Sequence, residues 1–199
     1  MAWIETIPYD QADDNLKKVY DRVKSSNGEV DNILIGHSLR PHTLTGHMHL
    51  YKNVLHHSQN KLSKWYMEAI GVFVSILNGC HYCIEHHSEG LRKLINDEHT
   101  FTQVFEALQS GHFTSSFDPK QIAGLRYARQ LTTGPQALNE ESMEKLRKVG
   151  FDDGEILELN QVTSYFNYAN RMVLGLGINT DGDILGNAPA GGDEDWQHK

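Results

Sequence analysis

The sequence contains only two cysteines, and just two residues separate them. Cys80 and Cys83 follow the helix-breaking dipeptide Asn78-Gly79, so we expect a new helix to begin at the cysteines. At this spacing the two sulfurs lie on one face of that helix and can form a disulfide. The free amides and the dipole of a helix N-terminus also favour thiolates. We therefore predict a redox-active or metal-binding pair, although two small buried residues would give the same pattern.

An imidazole lies one helical turn beyond the second cysteine. His87 follows Cys83 by four positions, so the two side chains stack on the same face of the predicted helix. The ring can take the thiol proton or stabilise the thiolate, and activation is needed because a free cysteine has a pKa of about 8.5. Position at the helix N-terminus favours Cys80 as the more acidic thiol, whereas the histidine favours Cys83. Local reasoning leaves open which sulfur attacks.

One carboxylate precedes the cysteines inside a long apolar run. Glu68 is the only charged residue between Lys64 and Glu85, and the sixteen residues after it are uncharged and largely apolar. A carboxylate beside a buried run is partly desolvated, which raises its pKa and suits it to proton transfer. The alternative is a solvated glutamate on the outer face of an amphipathic helix, where this residue type is usually found.

Other cysteine chemistries compete with redox activity. Cys80, Cys83 and either His86 or His87 offer three zinc ligands on one helix, but a structural zinc site needs a fourth ligand, and no second motif supplies it. A c-type haem requires a histidine directly after the second cysteine, where this sequence has Ile84. A thioredoxin-like fold requires strands around the motif, and no segment alternates apolar and polar residues for long enough to predict one.

Helical periodicity dominates the rest of the chain, so we predict an all-α fold, a single-domain helical bundle. The domain is expected to cover residues 1–178. Residues 179–199 are rich in Gly and Asp and are predicted to form an extended or disordered C-terminal arm. The predicted helices, by approximate residue numbers, are 12–23, 33–38, 41–57, 62–77, 80–95, 99–109, 119–132, 140–149 and 153–176.

Composition and charge limit the partners and the compartment. A formal net charge of -8 provides no positive field for nucleic-acid phosphates or anionic lipids, so neither nucleic acid nor a membrane is an expected partner. No apolar run reaches the length of a membrane span, and the N-terminal residues lack the pattern of a secretory signal. Two closely spaced cysteines do not suit a disulfide-stapled secreted fold. We therefore expect a soluble cytoplasmic protein.

The cysteine motif and its flanks resemble a known family. Glu68, a gap of eleven residues and then Cys80-x-x-Cys83-x-x-x-His87 resemble the core of the alkylhydroperoxidase D family, within the carboxymuconolactone decarboxylase superfamily. Other stretches resemble the branch called peroxidase-related enzymes, and the resemblance extends over roughly residues 5–178. These stretches are Asn32-Ile33-Leu34, Ser38-Leu39-Arg40-Pro41 and residues 125–132, 146–151 and 165–171.

The resemblance implies a role for each residue of the motif. Cys83 would be the peroxidatic nucleophile and Cys80 the resolving cysteine, with Glu68 and His87 as a proton relay. It also implies an all-α homo-oligomer, a trimer or a hexamer, that takes a hydroperoxide as substrate and a dithiol as reductant. We expect neither a metal nor another cofactor.

The sequence departs from the family pattern at one position of this relay. In the best-known member, a histidine just before the second cysteine takes part in proton transfer. Here that position is Tyr82, and the histidine lies one residue earlier, at His81. Both residues are therefore candidate relay members.

These observations predict a thiol-dependent peroxidase that reduces alkyl or hydrogen peroxides. One alternative is a zinc-binding or redox-sensing interaction protein that uses the same cysteines without turnover. Another is a non-thiol enzyme similar to carboxymuconolactone decarboxylase, which the resemblance disfavours because that branch lacks the cysteine pair.

Overall fold

Regular structure is helical throughout the residues that the computed structural model describes, 2–25 and 28–186. This confirms the predicted all-α fold. Within these ranges no helix is long and apolar enough to cross a membrane. The α-helices are α1 (Asp14–Val23), α2 (Asn32–Ile35), α3 (Pro41–Tyr51), α4 (Lys64–Asn78), α5 (His81–Ile95), α6 (Glu98–Ser110), α7 (Pro119–Thr133), α8 (Glu140–Lys148) and α9 (Asp153–Leu176).

Side-chain caps explain where many of these helices begin. At the start of α7, Asp118 accepts a hydrogen bond from the Gln121 amide, and the Gln121 side chain accepts one from the Asp118 amide. Reciprocal caps of this kind also open α8 and α9. Replacing such a cap by alanine typically costs about 1 kcal/mol. The capping side chains are Asp13, Asp97, Asp118, Asn139 and Asp152.

Helix α4 lies at the centre of the main core. It packs against α5, α6, α7 and α9, and every residue from Tyr66 to Ser75 is buried. A helix enclosed on all sides has no outer face for a charged residue. Glu68 therefore lies in the interior, with 6% of its surface exposed, and the alternative of a solvated glutamate is wrong.

A left-handed glycine turns the chain from α4 into α5. Gly79 ends α4 with φ 68°, a conformation that residues with a Cβ adopt rarely. Cys80 follows immediately as the N-cap of α5 and Cys83 lies in its first turn. The prediction that a helix starts at the cysteines is thus confirmed to within one residue.

The helix predicted over residues 41–57 changes pitch before it ends. Helix α3 is regular to Tyr51, and Lys52–His56 then form a π-helical turn. This wider turn directs Val54 and Leu55 into the main core. Turns of this type occur frequently beside functional sites.

The described part of the predicted C-terminal arm packs against the helices. We call residues 179–186 the C-terminal segment. The Asn32 side chain donates hydrogen bonds to the carbonyl oxygens of Asn179 and Asp181 at 2.9 and 3.0 Å. Lys93 Nζ donates to the carbonyl oxygen of Gly186 at 2.9 Å. The expectation of an extended or disordered tail overlooked these contacts, and residues 187–199 lie outside the described ranges. The domain boundary at residue 178 stays a prediction.

Two helical glycines offer a matched test of the α4–α9 packing. A Cβ at residue 71 would lie 2.1 Å from Cζ of Phe166, a buried ring atom of α9, whereas a Cβ at the exposed Gly46 would meet nothing within 4 Å. We expect Gly71→Ala to lower the free energy of unfolding by about 1–3 kcal/mol. Gly46→Ala should leave it unchanged or raise it by up to about 1 kcal/mol. Urea unfolding of both variants measures the difference, and equal effects would contradict this packing.

Candidate active site

A cavity of about 310 Å³ lies beside the cysteine-bearing end of α5. Side chains from α3, the π-helical turn, α4, α5 and α9 border it, and much of its wall is aliphatic. Aliphatic contacts come from Ile33, Leu34, Met48, Leu55 and Leu94. A pocket of this size and lining suits a small organic molecule.

The two cysteines form a hydrogen-bonded pair of free thiols at one end of this cavity. Cys83 borders the cavity, whereas Cys80 is fully buried behind it. The hydrogen bond donated by the Cys83 thiol lowers the pKa of Cys80. The same bond, followed by burial, raises the pKa of Cys83. The thiolate is therefore held first on Cys80, while the sulfur that a ligand can reach is that of Cys83.

An amide from α9 supports the cysteine pair. Asn170 is fully buried, and its side chain hydrogen-bonds to the thiols, which lowers the pKa of both cysteines. It also donates to Ser75 Oγ at 3.0 Å and accepts from Asn78 Nδ2 at 2.9 Å. These bonds fix the orientation of the amide. No pattern in the sequence indicated this contact, apart from the family resemblance of residues 165–171.

Glu68 and His87 meet across the α4–α5 interface. Glu68 Oε2 and His87 Nδ1 are 2.7 Å apart, and their side chains are 7% and 17% exposed. The edge of the His87 ring packs against Phe166, with 4.6 Å between ring centroids. Both residues border the same cavity as Cys83. Because Glu68 occupies Nδ1, Nε2 is the ring nitrogen left to exchange a proton.

The two candidate relay residues between the cysteines lie in different surroundings. His81 is exposed and is not part of the cavity wall. Tyr82 is buried and borders the cavity, but its hydroxyl donates to Asp183 Oδ2 at 2.7 Å and accepts from the Ile33 amide at 3.1 Å. The proton of Tyr82 is therefore directed toward the C-terminal segment rather than toward a thiol.

A second carboxylate–imidazole pair lies on the other side of Tyr82. Asp183 Oδ2 is 3.2 Å from His86 Nε2, and the two side chains are 4% and 9% exposed. His86 also borders the cavity. Sequence reasoning missed Asp183, because it is 97 positions from His86 in a segment with no recognisable motif.

Further titratable residues border the cavity, among them Asp31, His47 and His56. Burial raises the pKa of Asp31 to about 6. Electrostatic interaction with His86 lowers this pKa by a smaller amount, and interaction with Asp183 raises it. Burial lowers the pKa of His47 to about 3, helped by the charge of His37, and burial also lowers that of His56. His47 and His56 are therefore neutral at physiological pH and add no positive charge to the cavity.

The zinc alternative lacks a third ligand in the described part of the chain. No three His, Cys, Asp or Glu side chains there come close enough together to hold a metal ion. His87 directs Nδ1 to Glu68, and His86 directs Nε2 to Asp183. The cysteine pair is thus accompanied by hydrogen-bonded histidines rather than by a ligand set.

The all-α fold is similar to that of a solved protein described as an alkylhydroperoxidase AhpD core. Residues 41–130 match the carboxymuconolactone decarboxylase family, and the fold is similar to that of a solved peroxidase-related protein. The family resemblance predicted from the sequence is confirmed.

Three similar proteins illustrate the relationship. A peroxidase-related protein from Silicibacter sp. TM1040 is 26% identical, with a TM-score of 0.78 over 92% of this chain and 93% of its own. A peroxidase-related protein from Ralstonia eutropha JMP134, described as an alkylhydroperoxidase AhpD core, is 22% identical, with a TM-score of 0.79 over 94% and 97%. Protein YdfG of Bacillus subtilis (strain 168), uncharacterized, is 23% identical over 119 residues, 60% of this chain and 78% of its own.

The raised pKa of Asp31 predicts a pH-dependent effect on stability. A carboxyl group with a folded pKa of about 6 and an ordinary unfolded value near 4 stabilises the fold most at acid pH, and this contribution is lost as the pH rises through 6. We expect Asp31→Asn to raise the free energy of unfolding by about 1–2 kcal/mol at pH 7.5 and by much less at pH 4.5. Urea unfolding at both values measures it, with the exposed Asp10→Asn as control. An effect of equal size at both pH values would contradict the assignment.

Proposed function

We propose that this protein is a thiol-dependent peroxidase that reduces alkyl or hydrogen peroxides through Cys83 and Cys80. One observation carries the proposal: Cys83 borders a cavity with a partner thiol hydrogen-bonded behind it and a Glu68–His87 pair on the same wall. A nucleophile, a resolving thiol and a proton carrier are the three groups that such a cycle requires.

The first step makes Cys83 nucleophilic. His87 takes one proton from the thiol pair, and the Glu68 carboxylate stabilises the imidazolium that forms. The remaining proton lies in the hydrogen bond between the sulfurs, and its shift from Cys83 to Cys80 places the thiolate at the cavity. This shift reconciles the lower pKa of Cys80 with the accessibility of Cys83.

The Cys83 thiolate then attacks the distal oxygen of the hydroperoxide. A sulfur–oxygen bond forms, the oxygen–oxygen bond breaks, and the leaving oxygen takes the proton from His87 to give an alcohol or water. Two electrons pass from sulfur to the peroxide, and Cys83 becomes a sulfenic acid.

The resolving step uses the thiol that already contacts Cys83. The Cys80 sulfur attacks the sulfenic sulfur and forms the disulfide, and the hydroxide that leaves takes up the Cys80 proton through His87 to become water. A dithiol donor then reduces the disulfide and is itself oxidised. A donor of this kind suits a reducing compartment, so we propose the cytoplasm as the location. The trimer or hexamer stays a prediction.

The two cysteines should differ in a single turnover with tert-butyl hydroperoxide. We expect Cys83→Ser to lower the stopped-flow rate of peroxide consumption by at least about 100-fold, because the attacking sulfur is gone. Cys80→Ser should stay within about fivefold of wild type in this first turnover but fail to cycle. His81→Gln, an exposed neighbour in the same helix, is the control and should react at the wild-type rate. An undiminished rate in both cysteine variants would end the proposal.

The alternatives give different results in two further assays. Stoichiometric zinc by elemental analysis together with unreactive thiols would favour a metal-binding interaction protein. Carboxymuconolactone decarboxylase activity that survives the loss of both cysteines would favour a non-thiol enzyme. Reactive thiols without metal support the peroxidase.

The negative charge of Glu68, which contacts His87, should increase the rate of the first turnover. Glu68→Gln keeps the size of the side chain and a hydrogen-bond acceptor, but it removes the charge that stabilises imidazolium. We expect the first-turnover rate to fall by about 10- to 100-fold at pH 7, within the range of proton-transfer effects. Glu106→Gln, an exposed substitution on α6, is the control. A Glu68→Gln protein that reacts as fast as wild type would remove Glu68 from the relay.

A further inference from the structure

We propose that Asp183 is a positioning residue for the cysteine pair, acting through Tyr82 and His86. This role rests on the proposed peroxidase function. The carboxylate comes from the C-terminal segment, yet it is 4% exposed and lies against the helix turn that carries both thiols. No step of the proposed cycle has used it so far.

Among the described residues, every hydrogen-bond partner of the Asp183 carboxylate is a donor or a ring nitrogen that can donate. Oδ2 accepts from the Tyr82 hydroxyl at 2.7 Å and pairs with His86 Nε2 at 3.2 Å. The Asn32 amide donates to both oxygens, at 3.0 and 3.1 Å. An ionised carboxylate accepts hydrogen bonds only, so it satisfies this set completely. A buried carboxylate with so many partners is a built feature rather than a chance contact, since an unpaired buried charge would be costly.

These bonds fix Tyr82, the residue directly before Cys83. The Tyr82 hydroxyl donates to Asp183 and accepts from the Ile33 amide, so it is held from two remote parts of the chain. Its ring also contacts His86 one turn along, with centroids 4.5 Å apart. The first turn of α5 is thereby tied to α2 on one side and to the C-terminal segment on the other.

Position matters at this turn because both thiols belong to it. The hydrogen bond between the sulfurs requires the Cys80 and Cys83 side chains to keep their relative placement. A displacement of about 1 Å can cost on the order of 100-fold in rate when reacting groups must be aligned. Asp183 thus holds the geometry that lets one sulfur attack and the other resolve.

The C-terminal segment also closes one side of the cavity. Gly186 and Lys93 both border it, and Lys93 Nζ donates to the Gly186 carbonyl oxygen. Thr180 Oγ1 donates to Glu85 Oε2 at 2.8 Å, a second bond from this segment to α5. Loss of the Asp183 bonds is therefore expected to loosen the wall next to His86 as well as the cysteine turn.

Asp183→Asn is the sharpest test, because the amide has the same shape but presents an NH2 group to at least one donor. Tyr82→Phe is the second variant, which removes only the hydroxyl and keeps the ring packing. Asp181→Asn is the matched control, since Asp181 lies in the same segment, is exposed, and bonds within the segment through its side chain. Circular dichroism and urea unfolding establish that each full-length variant is folded.

Two readouts decide the role. The first is the pH dependence of thiol alkylation by iodoacetamide, which reports the apparent pKa of the cysteine pair and requires no peroxidase activity. The second is the single-turnover rate with tert-butyl hydroperoxide. We expect Asp183→Asn to move the alkylation midpoint to higher pH and to lower the turnover rate by about 10- to 100-fold. Tyr82→Phe should act in the same direction, and the double variant should be no worse than the more impaired single one.

Each outcome supports or overturns a stated claim. A folded Asp183→Asn with a wild-type alkylation profile and turnover rate overturns the positioning role, and so does an equal effect of Asp181→Asn. If Asp183→Asn does not fold, Tyr82→Phe with both readouts at wild-type values overturns it. If the wild-type protein consumes no hydroperoxide, the proposed function fails, and the alkylation profiles still decide whether Asp183 positions the thiols.

Discussion

The site depends on how two helices are joined. Gly79 takes a left-handed conformation at the end of α4, so α5 returns along α4 with the cysteines at its first turn. The same hairpin brings Glu68 of α4 beside His87 of α5, although 19 positions separate them. A non-glycine residue at 79 would be strained in this turn. The spacing of the motif therefore follows from helix geometry, because Cys83 and His87 lie one turn apart on α5.

Two carboxylate–imidazole pairs lie at or beside the cavity. Glu68 is paired with His87 and Asp183 with His86, while burial keeps His47 and His56 neutral. Asp31, Lys64 and Lys93 also border the cavity and lie outside these two pairs. In the proposed cycle, the hydrogen bond between the two thiols decides which sulfur holds the proton at each stage.

Local patterns predicted the helices and the motif, but not the long-range contacts. Periodicity and caps placed the helices to within a few residues, because those signals lie within each segment. The apolar run around Glu68 indicated desolvation, but it left a solvated position on an outer helix face open, and only the packing of α4 decided between them. Asp183, Asn170 and Asp31 were missed, since nothing in a single sequence states which distant segments meet. The π-helical turn after Tyr51 was missed for a related reason, because packing rather than local propensity sets it.

The position between the cysteines shows how the chain departs from its family pattern. The resemblance implies a histidine at residue 82, whereas this chain has a tyrosine whose proton is donated to Asp183. A tyrosine bound in this way cannot also donate to a thiol, and the exposed His81 does not reach the cavity. Proton transfer in the proposed cycle therefore rests on the Glu68–His87 pair alone. In the proposed site Tyr82 contributes rigidity instead, since its hydroxyl ties the first turn of α5 to Asp183, far away in the sequence.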